Sequence, residues 1–192
     1  MVRIGILNLQ GDISEHLEIT ERALEEMNLK VDVLKVKITE DVSKCDAIII
    51  SGGESTVIGK LMEDTGIGKI IVDKKIPVMG TCAGMVLLAK RTDYEQPLLG
   101  LVDMEVKRNA FGRQKVSFED EIEIFGDKFQ GVFIRAPHIE KVGENVDILS
   151  KYNEKIIAVK SGKYIATAFH PELTGDTLIH RYFIKEALDC AE

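Results

Sequence analysis

The chain has 192 residues, 45% hydrophobic and 30% charged, with a formal charge of −7. That length fits one domain whose core needs no disulfide or metal, and the composition excludes disordered and fibrous classes. The acidic balance argues against a phosphate polymer as partner, so no nucleic acid is expected.

In chain order, residues 3–9 read as a strand buried on both faces. Asp12 and Glu15 bracket a helix start in capping-box spacing. Ile13, Leu17, Thr20, Leu24 and Met27 give that helix one apolar face. Residues 31–36 and 47–50 are further strands, the second ending in Ser51-Gly52-Gly53. Residues 55–74 are helical with a break near Gly66; 77–79 form a brief strand and 83–90 a helix directly behind it. Strands alternating with helices predict crossover units and a parallel sheet.

From about residue 98 the texture changes to short strands with hairpin-like gaps, at 102–107, 115–118, 121–125, 129–134, 146–150, 155–160 and 164–169. A helix over 176–189 closes the pattern. The expected fold is α/β in three layers: a mostly parallel central sheet flanked by helices, with additional antiparallel strands in the second half. Residues 1–192 are read as a single domain.

Cys45, Cys82 and Cys190 are odd in number and widely spaced, which predicts reduced thiols and a cytoplasmic location. The first residues lack a signal-peptide pattern, and no run approaches the roughly 20 apolar residues of a membrane span.

The chemistry concentrates at Gly80-Thr81-Cys82-Ala83-Gly84, placed between a strand and a helix. This is the thiol version of the nucleophile elbow, with glycines where the turn crowds its neighbours. The following helix aims free N–H groups at the sulfur, and the Ala83 N–H is placed to hold an oxyanion. A buried structural cysteine is the competing reading. His170, after the strand ending at Phe169, supplies a base, and Glu172 two residues on can orient it. His16 and His180 read as partly buried packing or hydrogen-bonding residues within helices, and His138 as a loop residue near the site. In Ser51-Gly52-Gly53-Glu54-Ser55-Thr56, strand-end glycines offer N–H groups for a second oxyanion contact, at Gly53, or else form a plain turn capped at Ser55.

These segments together resemble the class I (triad) glutamine amidotransferases and, within them, the glutaminase subunits of two-protein pyridoxal 5′-phosphate synthases. Residues 8–12 (NLQGD), 52–56 (GGEST), 80–85 (GTCAGM), 108–114 (RNAFGRQ), 133–137 (FIRAP) and 169–174 (FHPELT) carry the resemblance. It implies Cys82 as nucleophile, His170 as base and later acid, and Glu172 as orienter. It implies Gly52, Gly53, Glu54, Arg108, Ile134 and Arg135 as the positions holding L-glutamine. It further implies no metal or redox cofactor, weak activity alone, and docking on a ring of synthase subunits in a large hetero-oligomer. Alternatives are a glutaminase for another ammonia-consuming synthase, and a cysteine hydrolase or chaperone of similar architecture.

Overall fold

The computed structural model describes residues 2–108, 111 and 117–190. The first half runs β1 (Arg3–Leu7), α1 (Ile13–Glu26), β2 (Asp32–Val36), α2 (Thr39–Val42), β3 (Ala47–Ile50), α3 (Ser55–Asp64), α4 (Ile67–Asp73), β4 (Val78–Thr81) and α5 (Ala83–Leu88). The second half runs β5 (Ala89–Thr92), β6 (Val102–Lys107), β7 (Ser117–Ile124), β8 (Asp127–Ile134), β9 (His138–Val142), β10 (Asp147–Tyr152), β11 (Lys155–Ser161) and β12 (Tyr164–Thr167). A 3-10 turn at Pro171–Leu173 and α6 (Leu178–Asp189) follow.

The main sheet has the order β2-β1-β3-β4-β12-β11-β9-β6-β5, with β10 also on β11. From β2 to β12 every pairing is parallel; β11 and β9 then continue it antiparallel. Every residue of β3 and β4 is buried, which is why both read as unbroken apolar runs. Helices flank this sheet, α1 packing on α6 and α3 on α4 and α5. β7 and β8 form a separate antiparallel hairpin. The expected three-layer, mixed α/β architecture is the one found. No helix among the described residues is long and apolar enough to cross a membrane.

One pairing positions everything that follows. β12, late in the chain, lies beside β4 with Thr167 opposite Thr81. Residues just beyond both strands therefore emerge at the same carboxyl edge of the sheet, where α/β folds collect their sites.

Several local expectations need correction. The helix over 83–90 ends at Leu88, and Ala89–Thr92 instead pairs with β6 as a strand. Residues 121–124 are the end of one long strand from Ser117, with Phe125 in the turn that follows; the part of the 115–118 segment before Ser117 lies outside the described residues. His138 begins β9 rather than sitting in a loop. Asp12 stands at the N-cap of α1 without a side-chain capping bond, because its carboxylate is drawn toward His170. His16 and His180 are wholly buried. The break at Gly66 is as expected: its φ of 75 separates α3 from α4.

Candidate active site

At the end of β4 the chain turns on Cys82, with φ 50 and ψ −103, straight into α5. Such a backbone is strained for a residue with a Cβ. It is held by a hydrogen bond from the Cys82 N–H to the Thr167 carbonyl, 2.8 Å away on the neighbouring strand. The flanking glycines answer to space. A Cβ on Gly80 would lie 2.5 Å from the Gly84 carbonyl oxygen, and one on Gly84 would overlap the carbonyl of Ile50.

β12 leads through Ala168 and Phe169 to His170, whose N–H donates to the Val132 carbonyl at 2.8 Å. That bond ties the β7–β8 hairpin to the sheet. His170 Nδ1 lies 2.7 Å from Glu172 Oε1, and both side chains are buried. The two residues meet across the 3-10 turn at Pro171–Leu173 rather than along an extended segment. Burial alone would push the imidazole pKa down; its contacts with Cys82 and Glu172 outweigh this and raise it to about 10. Burial pushes the Glu172 carboxyl up, with His170 pulling the other way. Among the described residues the other ring nitrogen, Nε2, is buried with no hydrogen-bond partner other than the Cys82 thiol that acts on the ring. The Cys82 thiol acts on the same ring while donating to the Ile134 carbonyl at 3.8 Å.

Asp12 Oδ2 comes within 3.3 Å of the same Nδ1. Asp12, His170 and Glu172 thus offer ligand atoms within 4.8 Å of one another. The 2.7 Å Nδ1–Oε1 separation is that of a hydrogen bond, so here His170 and Glu172 are paired with each other.

The Gly52-Gly53-Glu54 loop backs directly onto this pair. A Cβ on Gly52 would overlap the His170 ring, and Gly53 has a φ of 131. The Gly52 carbonyl packs against the Gly11 Cα; across a planar trans peptide the Gly53 N–H must point away from Gly11. Gln10 pins the loop, its Oε1 accepting from the Glu54 N–H at 2.8 Å and its carbonyl accepting from Ser51 Oγ at 3.1 Å. Ser55 Oγ donates to Gln96 Oε1 at 3.0 Å, so its hydroxyl is engaged across the site and makes no helix cap.

Arg108 is fixed on three sides. Its Nε lies 3.3 Å from Asp93 Oδ1, its Nη1 3.5 Å from Gln96 Oε1, and its guanidinium 4.4 Å from the Tyr94 ring centroid. Ile134 and Arg135 are exposed at the end of β8, with Arg135 at φ 46. Of the 108–114 segment, residues 109, 110 and 112–114 lie outside the described residues. No motif in the chain gives Asp12, His16, Asp93 or Gln96 a site role; the spacing that picks out Asp12 marks it only as a helix cap.

Residues 6–189 match the SNO glutamine amidotransferase family. A relative from Methanothermobacter thermautotrophicus, named pyridoxal 5′-phosphate synthase subunit PdxT, is 66% identical over the full length of both chains. One of that name from Pyrococcus furiosus is 46% identical, covering 97% of this chain and 99% of its own. A crystal structure of a glutamine amidotransferase superposes with a TM-score of 0.86 at 41% identity, covering 96% of this chain and 98% of that one. A glutamine amidotransferase from Thermotoga maritima shares the fold at a TM-score of 0.63 and 17% identity, covering 98% of this chain and 83% of its own. With a family match spanning the elbow, the glycine loop and the histidine–glutamate pair, the chain belongs to the SNO glutamine amidotransferase family.

Proposed function

We propose that this chain, as one glutaminase domain over residues 1–192, hydrolyses L-glutamine to L-glutamate and ammonia for a pyridoxal 5′-phosphate synthase. The observation carrying this reading is the buried His170–Glu172 pair, at 2.7 Å, beside a cysteine held on a strained elbow. The relatives named PdxT supply the biosynthetic context. Three unpaired cysteines suit a reducing cytoplasm.

The Cys82 thiol passes its proton to His170 as its sulfur attacks the δ-carbonyl carbon, forming a C–S bond and pushing the π electrons onto oxygen. N–H groups of Ala83 and Gly53 hold that oxyanion. As the carbonyl re-forms, the C–N bond breaks and His170 gives its proton to the departing nitrogen, releasing ammonia. A water molecule, deprotonated by His170, then cleaves the γ-glutamyl thioester to glutamate and restores the thiol. Glu172 holds the imidazole throughout.

Free glutamine carries a carboxylate and an ammonium, so its pocket requires charges of both signs. Arg108 supplies the cation and Glu54 the anion, with Gly52, Gly53, Ile134 and Arg135 adding backbone contacts. The ammonia passes to a synthase subunit that docks with this chain in a hetero-oligomer.

The test is glutamate release from L-glutamine, with and without the synthase subunit, for the wild type, Cys82→Ala and His170→Asn. Both variants should lose turnover with the fold intact. Undiminished release by Cys82→Ala would end the proposal.

A further inference from the structure

Behind the His170–Glu172 pair lies a second, wholly buried set of polar groups with no part in the steps above. His16 on α1 and His180 on α6 are both fully buried, with His16 Nδ1 and His180 Nε2 3.1 Å apart. On its other side, His16 Nε2 lies 3.1 Å from Thr81 Oγ1 and 3.3 Å from Glu172 Oε2. Among the described residues Glu172 Oε2 otherwise has no hydrogen-bond partner, and its side chain, like that of His16, is completely shielded from solvent.

Proton counting fixes the direction of this chain. Burial pushes the pKa of both imidazoles down, that of His180 to about 3, so each is neutral and carries one proton. Only one proton can occupy the His16–His180 contact. If His16 Nδ1 held it, Nε2 would present a lone pair to the Glu172 oxygen, two acceptors 3.3 Å apart in a dry interior. If His180 Nε2 donates instead, His16 Nδ1 accepts and Nε2–H faces Thr81 and Glu172 together. The second arrangement leaves one buried orphan, the bare His180 Nδ1.

We infer that His16 is a positioning residue for the glutaminase reaction: as the Nε2–H tautomer it holds the second oxygen of Glu172, so that the first stays on His170. The inference rests on the proposed glutaminase reading. The groups acting on Glu172 are His170 after β12, Asp12 and His16 from the start of α1, and its own backbone N–H, with Thr81 of β4 and His180 of α6 in contact with His16. Burial and the like charge of Asp12 oppose ionisation of Glu172, His170 and the backbone N–H favour it, and His16 is the donor placed at the second oxygen. Without that donor Glu172 takes up a proton more readily, and His170 loses its counter-charge at a higher pH.

The test compares two near-isosteric replacements. His16→Gln keeps an N–H at the level of Nε2; His16→Asn keeps one only at the level of Nδ1. Two readouts are followed against pH: kcat/KM for L-glutamine, and alkylation of Cys82 by iodoacetamide, which needs no substrate binding. In His16→Asn the acid limb of both should move up by about one pH unit, since a hydrogen bond to an ionised carboxylate changes its proton affinity about tenfold or more. His16→Gln should restore it. Equal shifts in the two variants, or none in His16→Asn, would overturn the role. In the unmodified protein, nitrogen-15 NMR must find His16 with its proton on Nε2; a proton on Nδ1 also overturns it, whatever the variants do. Cys82→Ala in the turnover assay separates the cases: if it stays active, the glutaminase reading itself has failed, whereas unshifted His16 variants beside an inactive Cys82→Ala refute only the positioning role.

Discussion

Gly84 lies so close under Ile50 that a methyl group on its Cα would overlap the Ile50 carbonyl oxygen. The obstacle is backbone of the central strand β3, which cannot swing aside as a side chain would. Gly84→Ala should therefore cost more than about 2 kcal/mol, the upper part of the overpacking range. Urea unfolding measures it. A cost near zero would mean that the elbow and the sheet are less tightly joined than they look.

The strain at Cys82 gives a second prediction. Its φ of 50 and ψ of −103 suit glycine, and such a conformation costs a residue with a Cβ about 1–3 kcal/mol. Cys82→Gly should consequently be at least as stable as Cys82→Ala, although glycine is ordinarily worse by about 0.5–1 kcal/mol. Both should lack glutaminase turnover. Paired denaturation curves decide it.

Arg108 is held by Asp93, Gln96 and the face of Tyr94, a grip suited to a planar fork. A lysine cannot reproduce it. Arg108→Lys should raise KM for L-glutamine by about tenfold while leaving kcat within a few-fold, the signature of lost uniform binding. Steady-state kinetics with the synthase subunit present is the measurement. A fall in kcat at unchanged KM would place Arg108 elsewhere in the cycle.

Acid stability follows from the buried histidines. His180 is held to about 3 by burial, against an ordinary 6.5. Below pH 6.5 the unfolded chain takes up a proton that the folded one refuses until about pH 3. This contribution is thus complete above pH 6.5 and drains away on acidification, at up to about 1.4 kcal/mol per pH unit. His180→Gln keeps a donor for His16 without a titratable ring. Its unfolding free energy should fall less steeply than that of the wild type between pH 6.5 and 4.5. Parallel slopes would show that the burial of His180 is not what limits acid stability.

The elbow was legible in the chain because its steric demands are local: a strand, two glycines and a helix within a few residues of Cys82. The His170–Glu172 contact was legible from spacing, although a 3-10 turn delivers it instead of an extended segment. Asp12 was misread because a capping pattern records only what the helix start could use. The competing attraction, His170, enters from far down the chain. β5 hid behind α5 because Ala89 continues an apolar run; only pairing with β6 marks the change. His16 gave no signal because it sits beside the apolar stripe of α1, and only the arrival of His180 on α6 and Glu172 encloses it.

The slot that β12 occupies between β4 and β11 has a bearing on biosynthesis in the cell. A ribosome that has just added residue 82 has made the thiol of this site without its base, and it must translate on to residue 170 before that base exists. The growing polypeptide is thereby harmless to the free glutamine pool until its middle has been filled from its far end.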